Sequence, residues 1–310
     1  VNGGKGGRLL FLEAASFKPL AVLRIGIGIV LLVQAQVLWQ YRDLLLAPEG
    51  PVPWVLSDAL LDPWLPRLSY FTRWLAPMGL DPMRVVELFL LAHIVGAVLL
   101  IAGFRTRAAA TLAWATYLPI RYSAHLYFYG IGGMLLIALF YCMVLPTGRE
   151  WSVDRALAGR ADGSVERELD AALSVGVLRI HLCIVYLAAG LSKAIGPTWW
   201  TGDAVWRALS LPRFAQFDLA ALSGYPEMLQ AAGLAAVVAQ LAYPVLVWTR
   251  LRAAIVLLAE LLHLGIAVFL GLWLFSAVMM VLNVAAFGES LWLALRRWRG
   301  AQHAPAWGSR

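Results

Sequence analysis

Residues 253–293 read AAIVLLAELLHLGIAVFLGLWLFSAVMMVLNVAAFGESLWL, and this stretch decides the fold. A helix needs about 20 mainly apolar residues, at 1.5 Å each, to cross a bilayer. The stretch supplies that length twice, as 253–270 and 272–293, parted by little more than Gly271. Such a joint predicts a tight helical hairpin or a bent segment.

The same ruler finds six further spans towards the N-terminus, at roughly 18–39, 85–103, 108–122, 128–146, 176–195 and 228–248. The stretch 108–122 is the weakest, because Pro119 and Arg121 interrupt it, and it is expected to be short or broken. The expected fold is therefore all-α: a polytopic integral membrane bundle of about eight transmembrane helices. Composition agrees. Residues of the AVILMFWYC set make up 61% of the 310 positions and charged residues 14%, where a soluble chain carries about a quarter charged. So little charge cannot wet a globular surface, which excludes a soluble enzyme, a disordered chain and a nucleic-acid binder despite the net charge of +7. Cys142 and Cys183 both lie in apolar runs and imply neither a disulfide nor a thiolate metal site. No cleavable signal peptide is expected ahead of the first span.

The basic excess is read by position. With the N-terminus in the cytoplasm, fifteen of the 25 Lys and Arg residues fall on the inner side, six on the outer, and four within or at the ends of spans. This asymmetry satisfies the positive-inside rule. It predicts a cytoplasmic tail at 1–16 and a basic cytoplasmic tail at 294–310 that carries Arg296, Arg297 and Arg299. The two long outer segments, about 40–84 and 196–227, hold Trp39, Trp54, Trp64, Trp74, Trp199, Trp200 and Trp206. Tryptophan favours the headgroup level, so interfacial helices lying on the outer side are expected there. Residues 147–175 read as a polar inner loop.

Ionisable side chains inside spans are costly and each asks for a reason. Arg24 and Arg179 sit in matching Leu-Arg-Ile triplets near the inner edge. Snorkelling to the headgroups suits Arg179, while the deeper Arg24 is expected to pair with a carboxylate or carbonyl. His93 and His181 read as interhelical hydrogen bonds. Lys193 lies about 24 Å along its span, near the outer face, behind Ala188, Ala189 and Gly190, which permit close helix approach. A snorkelling interfacial lysine and a buried amine serving as general base both fit this placement. His125, at the outer end of the third span, reaches a similar depth. Glu260 and His263, at i and i+3, share one helix face, with His263 about 15 Å up its span. A lysine, two histidines and a carboxylate around an outward-opening cavity would make a proton-handling site. No metal motif fits these residues. The glycines of Gly26-Ile27-Gly28 and Gly130-Ile131-Gly132-Gly133 read as helix packing rather than phosphate loops.

Three stretches resemble a known family. They are Gly103-Phe104-Arg105-Thr106-Arg107 with Leu145-Pro146-Thr147-Gly148-Arg149-Glu150-Trp151-Ser152-Val153-Asp154; Val185 to Lys193 followed by Trp199, Trp200 and Gly202; and Leu262-His263-Leu264-Gly265-Ile266 with Phe275-Ser276. In order and spacing they are similar to the HTTM membrane domain of vitamin K-dependent γ-glutamyl carboxylases and their bacterial relatives, over roughly residues 17–293. The resemblance implies that Lys193 is the base that deprotonates a reduced naphthoquinone of the vitamin K or menaquinol type. Reaction with O₂ then supplies the basicity that removes a glutamate γ-proton before CO₂ adds. It implies a supporting catalytic role for His125, within its His-x-Tyr-x-Tyr-Gly motif, and a quinone pocket near His263, Tyr129 and Glu260. It further implies a bacterial inner-membrane protein, a peptide substrate and an accessory partner protein.

Two departures stand beside it. The chain runs only about seventeen residues past its last span, so the large extramembrane substrate domain of the carboxylases is expected to be missing. Gln240 stands where an acidic residue is expected on the sixth span. A non-enzymatic membrane scaffold or maturation factor for a secreted peptide is therefore the alternative to a quinol-oxidising, carboxylase-like enzyme (a lyase and quinol epoxidase). A transporter ranks third, since only the two Leu-Arg-Ile triplets hint at an internal repeat.

Overall fold

The computed structural model describes residues 16–128, 130–159 and 165–302, with the backbone alone at 165 and 290–302. All regular structure among them is helical, and the chain divides into two compact units. The expected tails therefore fall largely outside the described residues, as do Tyr129 and residues 160–164 of the inner loop.

The first unit, Leu20–Ser164, holds α1 (Lys18–Gln40) from its third residue on, then α2 (Arg42–Leu45), α3 (Trp54–Leu60), α4 (Leu68–Leu75), α5 (Pro82–Ala102), α6 (Thr106–Ser123), α7 (Ile131–Val144) and α8 (Val153–Leu157). Helix α5 starts where its sequence says it should. The Asp81 side chain accepts from Met83 N at 2.9 Å, and Pro82 supplies a first residue that needs no donor. It stops at Gly103, in the left-handed region at φ 67°. Helix α6 packs on α5 so closely that a Cβ at Gly96 would stand 2.9 Å from Ala113 N. Contrary to the expectation of a broken segment, α6 runs unbroken through Pro119. Fully buried Ala113, Tyr117 and Ile120 hold the turns on both sides of the proline, so packing outweighs the one hydrogen bond it removes.

One end of this unit is a polar clasp. Arg24, wholly buried, donates to Leu100 O and Ile101 O at 2.6 Å each, to Thr147 O at 3.2 Å and to Trp151 O at 2.5 Å. Its expected pairing is thus with carbonyls. Asp154 accepts from Arg105 N at 2.7 Å, Thr106 N at 2.8 Å and Thr106 Oγ1 at 2.7 Å, which caps α6, and its own amide donates to Gly103 O at 2.9 Å. Gly103 admits no side chain, for a Cβ there would overlap Ser152 and the Arg24 guanidinium. The motifs at 103–107 and 145–154 are accordingly halves of one structural lock.

Partial burial pushes the Asp154 carboxyl up, but the Thr106 and Arg105 hydrogen bonds and the nearby Arg24 charge outweigh it. The carboxyl is held below the usual carboxylate range. With a folded value below the unfolded one of about 3.9, its stabilisation is present above the unfolded value and fades as pH falls through the folded one. Asp154→Ala is expected to lower stability by about 1–3 kcal/mol at neutral pH. The difference from wild type should shrink in acid, read as thermal midpoint against pH in detergent. A gap independent of pH would contradict this.

The second unit, described from residue 165, holds α9 (Val165–Ile195), α10 (Pro197–Thr201), α11 (Asp203–Ser210), α12 (Pro226–Leu246), α13 (Arg252–Leu270) and α14 (Trp273–Gln302). Helix α9 begins inside the expected inner loop, because Ala171, Ala172 and Val175 form a buried stripe and Glu166 and Glu168 complement its N-terminal dipole. The α13–α14 joint is the tight hairpin, turned by Gly271 at φ 66°. Helix α9 packs on α12 and α14, and α12 on α13. At Gly190 a Cβ would lie 3.0 Å from Leu241 N, so the small residue sets the α9–α12 approach, while Ala188 faces outward. Arg179 does not snorkel. It is 4% exposed, its Nε donates to Ala286 O on α14 at 2.8 Å, and its guanidinium lies over Phe287. An interhelical carbonyl within reach is a better partner than distant headgroups.

The protein is an integral membrane protein. Each of the eight expected apolar stretches holds a helix, and five helices among the described residues, α1, α5, α9, α12 and α13, are long and apolar enough to cross a bilayer. Helix α7 and the apolar part of α14, Trp273–Glu289, are shorter. Ile184, Leu187 and Leu191 on α9 face outward, an apolar surface that suits lipid. The segment at 40–84 forms α2 to α4, and that at 196–227 forms α10 and α11 with a 3₁₀ turn at Ala220–Gly224. Trp64 and Trp74 are exposed, but Trp54 is a core residue whose Nε1 donates to Leu46 O at 3.0 Å.

Candidate functional site

Four helices of the second unit bring polar groups into its apolar interior. Helix α13 turns both Glu260 and His263 inward, as their spacing requires: His263 is 3% exposed and Glu260 half-buried. The His263 Nε2 lies 2.9 Å from Tyr186 Oη on α9. Asn283 on α14 donates from Nδ2 to Tyr186 Oη at 2.7 Å and to Met279 O at 2.9 Å. Tyr243 on α12 donates to Asn283 Oδ1 at 2.6 Å, and its ring stacks on Tyr186 at 3.9 Å between centroids. Phe275 closes the other side of His263, edge-on at 5.8 Å.

On the helices that carry this chain of hydrogen bonds, α12, α13 and α14, four buried atoms lack a partner among the described residues: His263 Nδ1, Glu260 Oε1, Gln240 Oε1 and Ser276 Oγ. Buried polar atoms are nearly always paired, and each one left alone costs about 1–3 kcal/mol. A donor and several acceptors left unpaired in one apolar interior are a set that a small oxygen-bearing ligand can complete.

Lys193 is half-buried near the end of α9. Its Nζ lies over the Trp199 ring at 5.1 Å and 3.5 Å from Ala189 O, and it is within Coulombic range of His263. The ammonium thus has an aromatic face and one carbonyl, with no carboxylate paired to it among the described residues. Such an amine keeps its lone pair available once deprotonated. Among the described residues no group of three or more His, Cys, Asp or Glu is placed to hold a metal ion.

The tyrosines and the asparagine were not singled out by sequence reasoning. Their signal is spacing. Tyr186 stands seven residues before Lys193, on the same helix face, and Tyr243 three after Gln240. Asn283, one of two asparagines in the chain, sits alone in an apolar run seven residues after Ser276.

In the first unit, His125 follows α6. The Ser57 hydroxyl donates to Ser123 O at 3.1 Å, so its oxygen is free to accept from His125 Nδ1 at 3.3 Å. Buried Arg67 anchors this corner by donating to Ser57 O at 2.7 Å. Burial, aided by the Arg67 and Arg121 charges and opposed by a hydrogen bond to the Tyr122 backbone, holds His125 below the usual histidine value. The shift favours the neutral ring. His93 is an interhelical histidine, as expected, with Nδ1 3.2 Å from Ala113 O and 3.1 Å from Thr116 Oγ1.

Comparison with known proteins agrees with the fold. Searches of characterised proteins and of solved structures find no match. A family model, described as the HTTM domain, matches residues 14–292, nearly the whole chain, and the protein accordingly belongs to the HTTM-domain family.

Proposed function

We propose that this protein is a carboxylase-like membrane enzyme that binds a reduced naphthoquinone in the second unit and oxidises it with Lys193 as base. HTTM domains are associated with vitamin K-dependent carboxylase-like membrane proteins. The observation that carries the reading is the set of unpartnered buried atoms, His263 Nδ1, Ser276 Oγ, Gln240 Oε1 and Glu260 Oε1, in the same unit as the Lys193 amine. They fit a flat ligand with two oxygens on an apolar ring, which asks for a donor at one oxygen and acceptors for its hydroxyl protons.

When bound, such a quinol would supply the electrons that reduce O₂, being itself oxidised. The chain's own part is to hold and move protons. Lys193 in its neutral form takes a hydroxyl proton at Nζ, and the Trp199 face then receives the ammonium. His263 and Ser276 orient ligand oxygen, Gln240 and Glu260 accept hydrogen bonds from it, and Phe275 and the Tyr186–Tyr243 stack supply an apolar wall. The topology that goes with the reading has both termini in a bacterial cytoplasm, α2–α4 and α10–α11 on the outer membrane surface, and the site opening outward. Carboxylation of a peptide with CO₂, aided by an accessory protein, is the coupled reaction.

The test is mass spectrometry of lipid-soluble ligand carried through purification, followed by O₂-dependent consumption of a reduced naphthoquinone in detergent. A bound quinone and turnover are expected, and His263→Gln should weaken quinone binding about tenfold, as loss of one buried hydrogen bond predicts. A stable co-purifying protein with neither quinone nor turnover would overturn the reading in favour of a scaffold.

A further inference from the structure

We propose that Asn283 and Tyr186 are positioning residues that fix His263 in one tautomer, with its proton on Nδ1, so that it acts as a hydrogen-bond donor to an acceptor oxygen of a bound ligand. The direction of every bond in the chain follows from one backbone carbonyl. Met279 O has only lone pairs, so the side of the Asn283 amide 2.9 Å from it is the NH₂ group. The opposite atom is then Oδ1, which suits the Tyr243 hydroxyl that donates to it at 2.6 Å.

The remaining Asn283 N–H points at Tyr186 Oη, 2.7 Å away, so this oxygen accepts. The Tyr186 hydrogen has one acceptor left, His263 Nε2 at 2.9 Å. An Nε2 that accepts carries no hydrogen, and the neutral ring bears it on Nδ1. The reverse orientation would set the Tyr186 hydrogen against the Asn283 amino group.

The relay thus ends on a buried N–H donor without a partner among the described residues, in the same unit as Ser276 Oγ, Gln240 Oε1 and Glu260 Oε1, which are in the same condition. His263 is 3% exposed and Asn283 wholly buried, so bulk water does not relieve the donor. The two phenols stack at 3.9 Å, which keeps both hydroxyls in register with the amide. Two helices other than its own, α9 and α14, therefore dictate what His263 offers: a donor, not a base. That the ligand oxygen is a quinone oxygen rests on the function proposed above. The tautomer does not.

The experiment is nitrogen NMR of the full chain in detergent, with ¹⁵N-labelled histidine and no added ligand. The chain has five histidines, and loss of one signal pair in His263→Gln assigns the pair sought; replacing the others singly assigns it by exclusion. In the wild type, Nδ1 is expected to be of the protonated, pyrrole type and Nε2 of the lone-pair, pyridine type. Asn283→Asp offers Tyr186 an acceptor in place of a donor, so the Tyr186 hydrogen turns away and the two types exchange between the His263 nitrogens. If that variant does not fold, Tyr186→Phe should yield a mixture of both forms. Tyr243→Phe leaves the Met279 contact in place and should change nothing. A wild-type His263 protonated on Nε2 overturns the relay, as does an assignment indifferent to both Asn283→Asp and Tyr186→Phe. Addition of 2-methyl-1,4-naphthoquinone should then move the Nδ1 signal. A fixed tautomer with no such movement supports the relay and removes the quinone.

Discussion

Arg24→Ala is expected to destabilise the protein by on the order of 4 kcal/mol, enough to deplete the folded form in detergent. The side chain is wholly buried, and its guanidinium serves the carbonyls of Leu100, Ile101, Thr147 and Trp151 at once. Alanine leaves Leu100 O its bond from Gly103 N at 3.1 Å, but it strips the guanidinium from the other three carbonyls and opens a cavity beneath the Gly103 turn, so a hydrogen-bonding loss and a packing loss add. Arg24→Lys keeps the charge but offers a compact ammonium with three donors in place of a five-donor fork, and should retain only part of the stability. Thermal midpoints from tryptophan fluorescence, with size-exclusion profiles in one detergent, read both variants. An Arg24→Ala protein that stays monodisperse and melts with the wild type would refute the clasp.

How far this was legible in the sequence depends on distance along the chain. The helices were legible, because an apolar run of the right length is a local signal, and His93 and the Glu260–His263 pair faced where helical spacing put them. The clasp was legible only as two motifs. Arg24 and Trp151 are 127 positions apart, and nothing local to either names the other. Arg179 was misread for the same reason: its triplet matches that of Arg24, yet what decides its direction is Ala286 O on a helix that begins 94 residues later. The α9 start was missed because polarity alone marked 165–175 as loop, whereas the spacing of Ala171, Ala172 and Val175 already carried a buried face.

The candidate site divides along chemistry. Lys193, Glu260 and His263 stood out because charge is scarce in an apolar chain. Tyr186 and Tyr243 did not, since a tyrosine in an apolar helix is most often packing, and only the stack and the amide between them give their hydroxyls a direction. Gln240 was noticed as a departure from an acidic pattern. Its carbonyl oxygen is buried without a partner among the described residues, and a neutral acceptor suits an apolar interior better than a carboxylate would.

The largest expected effect is on Lys193. If its amine is the base, Lys193→Ala should lower O₂-dependent oxidation of a reduced naphthoquinone by about 10²–10⁴-fold, the usual worth of a positioned general base. Loss of activity alone would not separate a base from a structural cation, and Lys193→Arg does. Arginine keeps the positive charge and its cation–π contact with Trp199, and it stays protonated at any pH the protein survives. A structural or headgroup-seeking cation is therefore rescued by arginine, and a base is not. The side chain is half-buried, so a small primary amine added to Lys193→Ala should restore part of the rate, in proportion to its unprotonated fraction. Quinone binding, followed by the His263 nitrogen signal, should survive both substitutions, because the His263 donor and the acceptors around it are untouched. Oxidation by Lys193→Arg at the wild-type rate would remove Lys193 from the chemistry and leave it an interfacial anchor.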